Sequence, residues 1–203
     1  MSGVLEQLNA GLAAAAEAAS SSLVQITSGP RGRGAGIIWR PDGLILTNAH
    51  VVGQPMLNVT LPDGRSLPGR VIARHADHDL AAIRVDATGL LPAWPGDSRA
   101  VRAGEWVLAL GHPWGVPGAA TTGIIIGVGD RIPENPAPGR EWIAVNLHYR
   151  PGHSGGPLVD AQGRVIGINT VMAGPDVGLA VPVHVAIQFV DALLKFEHRV
   201  AAA

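Results

Sequence analysis

The segment from Arg150 to Leu158 has the composition expected around a nucleophilic serine. Ser154 follows Gly152 at a distance of two residues and is itself followed by Gly155 and Gly156. Glycines tolerate positive φ and let the backbone approach a substrate, because they carry no Cβ atom. Acyl transfer through serine needs an exposed hydroxyl and N–H groups directed at the developing oxyanion. The segment therefore predicts a nucleophile at Ser154, with the N–H groups of Gly152 and Ser154 as oxyanion donors, although an ordinary glycine-rich turn shares this composition.

Two other segments carry a possible base and its orienting partner. His50 follows one short apolar run, and Asp79 immediately precedes another, residues 80–85. Taken singly, a histidine at a strand end is usually structural, and an aspartate at this place is often a turn residue. Together with Ser154 they occur in the order His, Asp, Ser, which is the order of the catalytic triad in the chymotrypsin fold.

The sequence around these three residues resembles the signatures of the chymotrypsin-like serine proteases. The matching motifs are Thr47-Asn48-Ala49-His50, Asp79-Leu80-Ala81 and Pro151-Gly152-His153-Ser154-Gly155-Gly156-Pro157. The similarity is closest to the HtrA (Deg) branch, because it continues through residues 40–52, 110–115 and 178–182. It covers nearly all of the chain, from about residue 23 to residue 195.

This resemblance implies a role for each residue of the site. His50 would take the proton of Ser154 and pass it to the leaving amine, while Asp79 would hold the imidazole tautomer. The segment 169–171 would pair with the substrate backbone as an added strand. The predicted substrate-binding residues are Leu147, His148, Tyr149, Asn169, Thr170, Val171, Leu179 and Ala180. They include no acidic side chain, so a preference for Lys or Arg before the cut is not expected; the family favours small aliphatic residues there.

The composition is typical of an all-β protein, since 27 glycines and 16 prolines separate many short apolar runs. The resemblance implies two packed six-stranded antiparallel β-barrels, a chymotrypsin-like double barrel, with a helix at each end. The expected organisation is an N-terminal helical segment 1–22, a first barrel 23–93, a linker 94–104, a second barrel 105–182 and a C-terminal helix 183–203.

Three segments carry more specific expectations. Residues 4–19 are rich in alanine and place Leu5, Leu8 and Leu12 on one helix face, which suits a docked terminal helix or an oligomerisation arm. The glycine-rich stretch 29–34 is predicted to be a turn or loop. The proline-containing stretch 131–140 is predicted to be a mobile loop of the kind that switches this branch between resting and active forms.

Charge and composition limit the partners and the compartment. The formal net charge is −1 and the sequence pI is about 6.7, so nucleic acid is not expected as a partner. No apolar run has the length of a membrane span. The chain has no cysteine, which fits a reducing compartment. Because no basic signal-peptide region begins the sequence, a cytoplasmic location is predicted, and a periplasmic or membrane-tethered location is the alternative if the chain is part of an exported protein. The resemblance covers the protease region without a PDZ domain, so PDZ regulation would be absent or supplied by a partner if this is the whole protein.

The function that follows from the resemblance is endopeptidase cleavage of unfolded or flexible proteins, as in protein quality control. A trimer through the N-terminal segment is possible by the same analogy. No metal or organic cofactor is expected, because triad chemistry needs none; His75, His78 and Asp79 lack a further ligand. His153 replaces the usual Asn or Asp, which excludes zymogen activation through a buried salt bridge. A peptide-binding pseudoprotease and a small-ester hydrolase stay open as alternatives.

Overall fold

The computed structural model describes residues 3–29, 32–132 and 136–201. Within these residues the strands form two closed antiparallel barrels of six strands each. One helix precedes the barrels and one follows them. The prediction of an all-β double barrel with a helix at each end is therefore confirmed.

The first barrel places the ends of two strands side by side. Its strands are β1 (Leu23–Ser28), β2 (Gly32–Ile38), β3 (Leu44–Thr47), β4 (Met56–Thr60), β5 (Ser66–His75) and β6 (Leu80–Val85). Around the barrel they follow the order β1-β2-β3-β6-β5-β4. Thr47 at the end of β3 pairs with Ala81 near the start of β6. The residues after β3 and those before β6 are therefore brought together.

The second barrel follows the same plan. Its strands are β7 (Trp106–Gly111), β8 (Ala119–Gly129), β9 (Trp142–Val145), β10 (Pro157–Asp160), β11 (Val165–Gly174) and β12 (Val177–Pro182). Their order is β10-β11-β12-β9-β8-β7, closed by the pairing of β7 with β10. A single 3₁₀ turn, Pro113–Gly115, follows β7. The connection between the barrels is tied to the second one by a parallel bridge between Pro95 and Val165.

Strands at the junction of the barrels are buried on both faces. In β3, Leu44 and Leu46 pack into the core shared by the barrels and helices, whereas Ile45 packs inside the first barrel. In β7, Leu108 and Leu110 face the shared core, and Val107 faces the interior of the second barrel. Successive side chains of a strand point to opposite faces. These strands are accordingly apolar throughout instead of alternating with polar residues.

The prediction of a loop over residues 29–34 was partly wrong, because β2 already begins at Gly32. Gly34 pairs with Ile26 of β1. A Cβ atom on Gly34 would lie 2.7 Å from the Val51 side chain, so only glycine fits the close approach at this position. The glycines of this segment therefore serve a tightly packed strand. Pro30 and Arg31 lie outside the described residues.

The terminal helices pack against the outer faces of the barrel strands. Helix α1 (Val4–Ser20) buries Ala15 and Ala19 and packs on β7 and β10. Its first turn is exposed, and Leu5 retains 74% of its accessible surface. Helix α2 (Val183–Ala201) contacts β6, β11 and β12. Neither helix of the described chain combines the length and the apolar character that crossing a membrane requires.

Candidate active site

Three turns converge on the cleft between the barrels. The turn after β3 supplies His50, the turn before β6 supplies Asp79, and the turn before β10 supplies Ser154. His50 and Ser154 both line one cleft of about 400 Å³. Asp79 hydrogen-bonds to His50 and is more buried, with side-chain exposures of 16% for Asp79 and 44% for His50. The structure thus brings together the three residues that the sequence motifs single out.

Asp79 fixes the orientation of His50 through both carboxylate oxygens. Its Oδ2 atom lies 2.7 Å from Nδ1 of the His50 ring, and its Oδ1 accepts a hydrogen bond of 2.9 Å from the His50 backbone N–H. An ionised carboxylate only accepts hydrogen bonds. Nδ1 therefore carries the hydrogen, and the lone pair of the neutral ring is on Nε2, the nitrogen that a general base uses.

The turn that carries Asp79 has an unusual backbone. Asp79 has a φ of 51°, in the left-handed region that few non-glycine residues adopt. Its N–H donates to the Ala76 carbonyl at 3.1 Å, and its carbonyl accepts from the Ala49 N–H at 3.1 Å. These contacts hold the carboxylate toward His50 at the start of β6.

Asn48 connects this turn with the second barrel. Its buried side-chain amide Nδ2 donates to the Asp79 carbonyl at 3.0 Å and to Oγ1 of Thr170 at 3.0 Å. Its Oδ1 is also buried and has no hydrogen-bond partner within the described part of the chain. The Thr170 carbonyl in turn accepts the hydrogen bond from Ser154 Oγ. One amide therefore joins the supports of Asp79 and Ser154 across the barrel junction.

Ser154 is held between strands of different barrels. Its Oγ donates to the Thr170 carbonyl of β11 at 3.0 Å. Its own carbonyl accepts from the Ala35 N–H of β2 at 2.8 Å. Donation to Thr170 keeps the hydroxyl hydrogen away from the imidazole in this conformation. A rotation about χ1 between staggered positions is sufficient to redirect the hydroxyl.

The N–H groups around Ser154 divide into bonded and free donors. Those of His153, Gly155 and Gly156 donate to the carbonyls of Arg150, Asn169 and His153 at 2.8–2.9 Å. Those of Gly152 and Ser154 have no acceptor among the residues that the structure describes. Both residues line the cleft. Since buried backbone donors are nearly always paired, two free neighbouring N–H groups mark a place where a ligand oxygen can bind.

A tight turn sets the direction of these donors. The His153 N–H donates to the Arg150 carbonyl at 2.9 Å, which closes a four-residue turn with Pro151 and Gly152 in its centre. Gly152 has a φ of 109°. Proline followed by a glycine with positive φ is the pattern of a type II turn. Because a Cβ atom on Gly152 would lie 2.5 Å from the His112 carbonyl oxygen, only glycine is accommodated here.

His153 fills the space beneath this turn. It is 3% exposed, and its ring stacks on the Tyr149 ring with the centroids 5.9 Å apart. Burial lowers the pKa of His153. Its Nδ1 lies 3.1 Å from the Arg150 backbone nitrogen and 3.2 Å from the Arg150 carbonyl oxygen, so the ring bonds to the Arg150 backbone in either tautomer. The side chain that departs from the family pattern therefore braces the loop as a buried neutral group.

Only part of the predicted substrate-binding set lines the cleft. Tyr149, Thr170 and Val171 do so, together with Met172 and Val51. The others lie elsewhere: Leu147, Leu179 and Ala180 are buried in the barrel cores, Asn169 is buried and donates to the carbonyls of Leu110 and Pro157, and His148 is exposed beside the Pro175 carbonyl. Burial raises the pKa of Tyr149, whose hydroxyl has no partner within the described residues.

Several residues of the site were not singled out from the sequence. Asn48 stood inside the histidine motif, but nothing local indicated that its amide reaches the second barrel. Arg33 lines the cleft as an exposed cation, together with Arg150, which the sequence already placed in the predicted pocket stretch 147–150. Arg33 was assigned to a loop, and only the pairing of β1 with β2 shows its position. The only sequence feature that pointed to a cation here was the presence of arginine in the glycine-rich stretch 29–34.

Two six-stranded barrels with serine, histidine and aspartate meeting at their junction define the chymotrypsin-like class of serine peptidases. The family model described as a trypsin-like peptidase domain matches residues 34–168, well over half of the chain. The chain therefore belongs to the trypsin-like peptidase family.

Individual relatives place it near the HtrA branch, as the motifs predicted. The chain is 38% identical over 176 residues to the putative serine protease HhoB of Synechocystis, covering 83% of this chain and 42% of that protein. It is 38% identical over 169 residues to a probable periplasmic DegP-like serine endoprotease of Halomonas elongata, covering 80% of this chain and 35% of that protein. The chain thus spans about two-fifths of these relatives.

Solved structures agree with the sequence relatives. The HtrA-type protease AlgW, solved with a tripeptide, superposes with a TM-score of 0.84 at 30% identity. The superposition covers 92% of this chain and 64% of the AlgW chain. Because 92% of this chain superposes, the shared part includes most of the double barrel that carries the cleft.

Proposed function

We propose that this chain is the peptidase unit of a serine endopeptidase, with Ser154 as nucleophile, His50 as general base and Asp79 as its orienting carboxylate. The observation that carries the proposal is the 2.7 Å contact between His50 Nδ1 and Asp79 Oδ2 beside a cleft that also holds Ser154. Its family and its relatives named as serine proteases support the same class.

The reaction begins with rotation of the Ser154 hydroxyl from the Thr170 carbonyl toward His50. His50 Nε2 accepts the proton as Oγ attacks the scissile carbonyl, and Asp79 stabilises the imidazolium. The free N–H groups of Gly152 and Ser154 receive the developing oxyanion. The imidazolium then protonates the leaving amine, and water hydrolyses the acyl-enzyme by the same steps.

We infer that the substrates are extended peptide segments of unfolded or flexible proteins. Thr170, Val171 and Met172 of β11 line the cleft and offer a strand edge to which such a segment can add. AlgW, an HtrA-type protease, was solved with a tripeptide, which supports a peptide ligand for this kind of protein. Tyr149 and Met172 both line the cleft, and the Tyr149 backbone N–H donates to the Met172 sulfur at 3.0 Å. We infer that these two side chains limit the space before the cut and favour small aliphatic residues there. A library of peptides varied at that position would contradict this preference by selecting Arg.

The test of the proposed function compares casein degradation by the wild type and by Ser154→Ala. Loss of the nucleophile should reduce the rate by about 10⁴–10⁶-fold. Ser66→Ala is the matched control, because Ser66 is an exposed residue of β5 outside the cleft. Equal cleavage by wild type and Ser154→Ala would assign the activity to another nucleophile or to a contaminant.

The alternative is a pseudoprotease that binds extended peptides without cutting them. The hydroxyl of Ser154, which is bonded to Thr170 instead of His50, is the observation that favours this alternative. Binding of a labelled peptide by both wild type and Ser154→Ala, with no cleavage by either, would support it. Cleavage by the wild type alone excludes it.

Two broader properties remain proposals of the same kind. A quality-control role and an oligomer through α1 follow from the HtrA-like relatives and from the exposed Val4 and Leu5 of the first helical turn. Light scattering of the purified chain tests the oligomer, and a monomer mass would reject it.

The cytoplasmic location stays a prediction. One relative is named as periplasmic and another as chloroplastic. Fractionation of the source cells would decide the compartment.

A further inference from the structure

A basic and aromatic surface lies on one side of the cleft. We call it the Arg33–Arg150 patch, and it consists of Arg33, Trp114 and Arg150. The Arg150 guanidinium lies over the Trp114 ring, 4.8 Å from its centroid. The Nη1 atom of Arg33 is 3.8 Å from the position that a Cβ atom on Gly115, the residue after Trp114, would take. Trp114 is 74% exposed, so the patch is open to solvent and to ligands.

The position of β2 identifies the side of the cleft on which the patch lies. Ser154 directs its hydroxyl to Thr170 of β11 and its carbonyl to Ala35 of β2, so it lies between these two strands. In the proposed function the acyl part of the substrate lies along β11. The leaving part of the substrate must then extend toward β2, which carries Arg33. The patch therefore faces the residues that follow the scissile bond.

Among the residues that the structure describes, neither guanidinium group has a carboxylate partner. No carboxylate of the described residues lies within ion-pairing distance of Arg33 or Arg150, whereas Arg40, Arg65, Arg84, Arg102 and Arg164 each form such a pair. The described lining of the cleft contains no acidic side chain. Two cations without an ion-pair partner in the described chain, at one end of a cleft whose described lining has no acid, create a site of positive potential.

We propose that the Arg33–Arg150 patch binds a carboxylate in the leaving segment of the substrate, so that the enzyme prefers sites followed by acidic residues. This inference rests on the proposed peptidase function and adds a substrate class to it. A strand advances about 3.3 Å per residue. An arginine next to the nucleophile therefore reaches the first two or three residues after the cut. The carboxylate can come from Asp or Glu side chains or from a free C-terminus close to the scissile bond.

The strength of the preference follows from the exposure of the patch. An exposed ion pair contributes little, but Arg150 is held in place by stacking on Trp114, so less conformational freedom is lost on binding. Two such contacts should give a preference on the order of three- to tenfold. The preference should weaken strongly near 1 M salt, where the screening length is about 3 Å.

The experiment measures kcat/KM for quenched fluorescent peptides that share one acyl segment and differ only after the cut. Four leaving segments are compared: one with Glu, one with Gln and one with Lys, all with amidated ends, and the Gln segment with a free C-terminus close to the cut. We expect the rates to fall in the order Glu, Gln, Lys. A gain for the free C-terminus over the amidated Gln peptide identifies the terminal carboxylate as a second source.

Variants connect the preference to the patch. Arg33→Gln and Arg150→Gln should each lower the Glu-to-Gln ratio, and the double variant should bring it close to one. Arg70→Gln is the control. Arg70 is an exposed arginine of β5 outside the cleft, so its substitution changes the net charge equally without touching the patch. A Glu-to-Gln ratio of one for the wild type, or an unchanged ratio in the double variant, would overturn the proposal.

The failure of this proposal is distinguishable from the failure of the peptidase function. If the wild type cuts all four peptides equally, only the carboxylate preference is wrong. If it cuts none of them, the proposed activity is wrong. The carboxylate preference of the Arg33–Arg150 patch is then tested by peptide binding. In that case the fluorescence anisotropy of labelled Glu and Gln peptides with Ser154→Ala is measured. Equal affinities for the two peptides would overturn the proposal without any reference to cleavage.

Discussion

At the scale of single residues, Asn48 is the contact that joins the two halves of the proposed triad. Its amide donates to the Asp79 carbonyl and to the Thr170 hydroxyl oxygen. A buried Oδ1 without a partner within the described chain is a cost of about 1–3 kcal/mol, so the residue is not optimal for stability alone. Its position instead suits the alignment of groups that lie in different barrels.

We predict that Asn48→Ala lowers kcat on the order of 10–100-fold while KM changes little, because small displacements of reacting groups cost this much in rate. The free energy of unfolding should also fall by about 1–3 kcal/mol, since the partners of the amide lose a donor. Steady-state kinetics with a neutral peptide and urea denaturation measure the two effects.

Ser98→Ala provides the control for this prediction. Ser98 is also buried, and its Oγ accepts from the His184 N–H at 3.1 Å, remote from the cleft. Its loss should lower stability without changing kcat of the folded protein. An Asn48→Ala variant that is destabilised but keeps its full kcat would reduce Asn48 to a structural residue.

At the scale of elements, the turn that carries Ser154 packs so closely against β2 that a side chain has no space at Gly155. Gly155 has a φ of 84°, and a Cβ atom there would collide with the Ala35 carbonyl oxygen and with Thr47 Oγ1. The Thr47 hydroxyl already donates to the Ala35 carbonyl at 2.7 Å. The end of β3, the middle of β2 and the serine turn are therefore in direct contact.

Gly155→Ala should consequently destabilise the fold by more than the cost of a positive φ alone, which is about 1–2 kcal/mol for alanine. Gly64→Ala isolates that cost, because Gly64 has a φ of 87° and a Cβ atom there would meet nothing within 4 Å. Urea midpoints and soluble yield of both variants give the comparison. Equal losses of stability in the two variants would show that β2 moves aside for the added methyl group at little cost.

Two element predictions show where local pattern was insufficient. Leu5, Leu8 and Leu12 share a helix face, yet Leu5 is exposed and the buried residues of α1 are Ala15 and Ala19. Small side chains let the helix approach β7 and β10 closely, and a hydrophobic count does not reveal this. Strand β2 was likewise missed over its first residues, because its glycines are selected by close packing and not by strand propensity.

At the scale of the whole molecule, stability should depend on pH through histidines that are partly or fully buried. Burial is the main cause that lowers the pKa of His78, His112 and His153 below the ordinary value of 6.5. The unfolded chain therefore binds protons at a higher pH than the folded one. Stability is complete above the unfolded value and is lost as the pH falls through it toward the folded values.

We predict that the free energy of unfolding decreases from pH 7.5 to pH 5.5, by at most about 1.4 kcal/mol per pH unit for each of these histidines. This window lies above the ordinary pKa values of Asp and Glu, 3.8 and 4.5, so the carboxylates contribute little to it. Urea denaturation at the two pH values measures the change.

His153→Asn should flatten this pH dependence, because it removes one buried titrating group and keeps a polar side chain beneath the turn. His198→Asn, at an exposed position of α2, is the control and should leave the slope nearly unchanged. A slope in the His153→Asn variant equal to that of the wild type would mean that His153 is accessible to protons in the folded state.

The sequence by itself determined the class of this protein and most of its strands. The residues around Ser154, His50 and Asp79 act through short-range requirements, such as glycines in a tight turn and an aspartate at a strand start, and these are visible as motifs. The double barrel and the HtrA-like relationship that these motifs predicted are confirmed by the fold and by the relatives. The catalytic roles of the three residues stay predictions.

Only the tertiary structure decided which residues line the cleft. Strands at the junction are apolar on both faces, so the sequence carried no signal to show that Leu147, Leu179 and Ala180 point into the cores while Val171 and Met172 meet the cleft. Barrel closure also brought Arg33, Trp114 and Arg150 together from distant segments. Contacts of this kind depend on the register and curvature of both barrels, which no local pattern encodes.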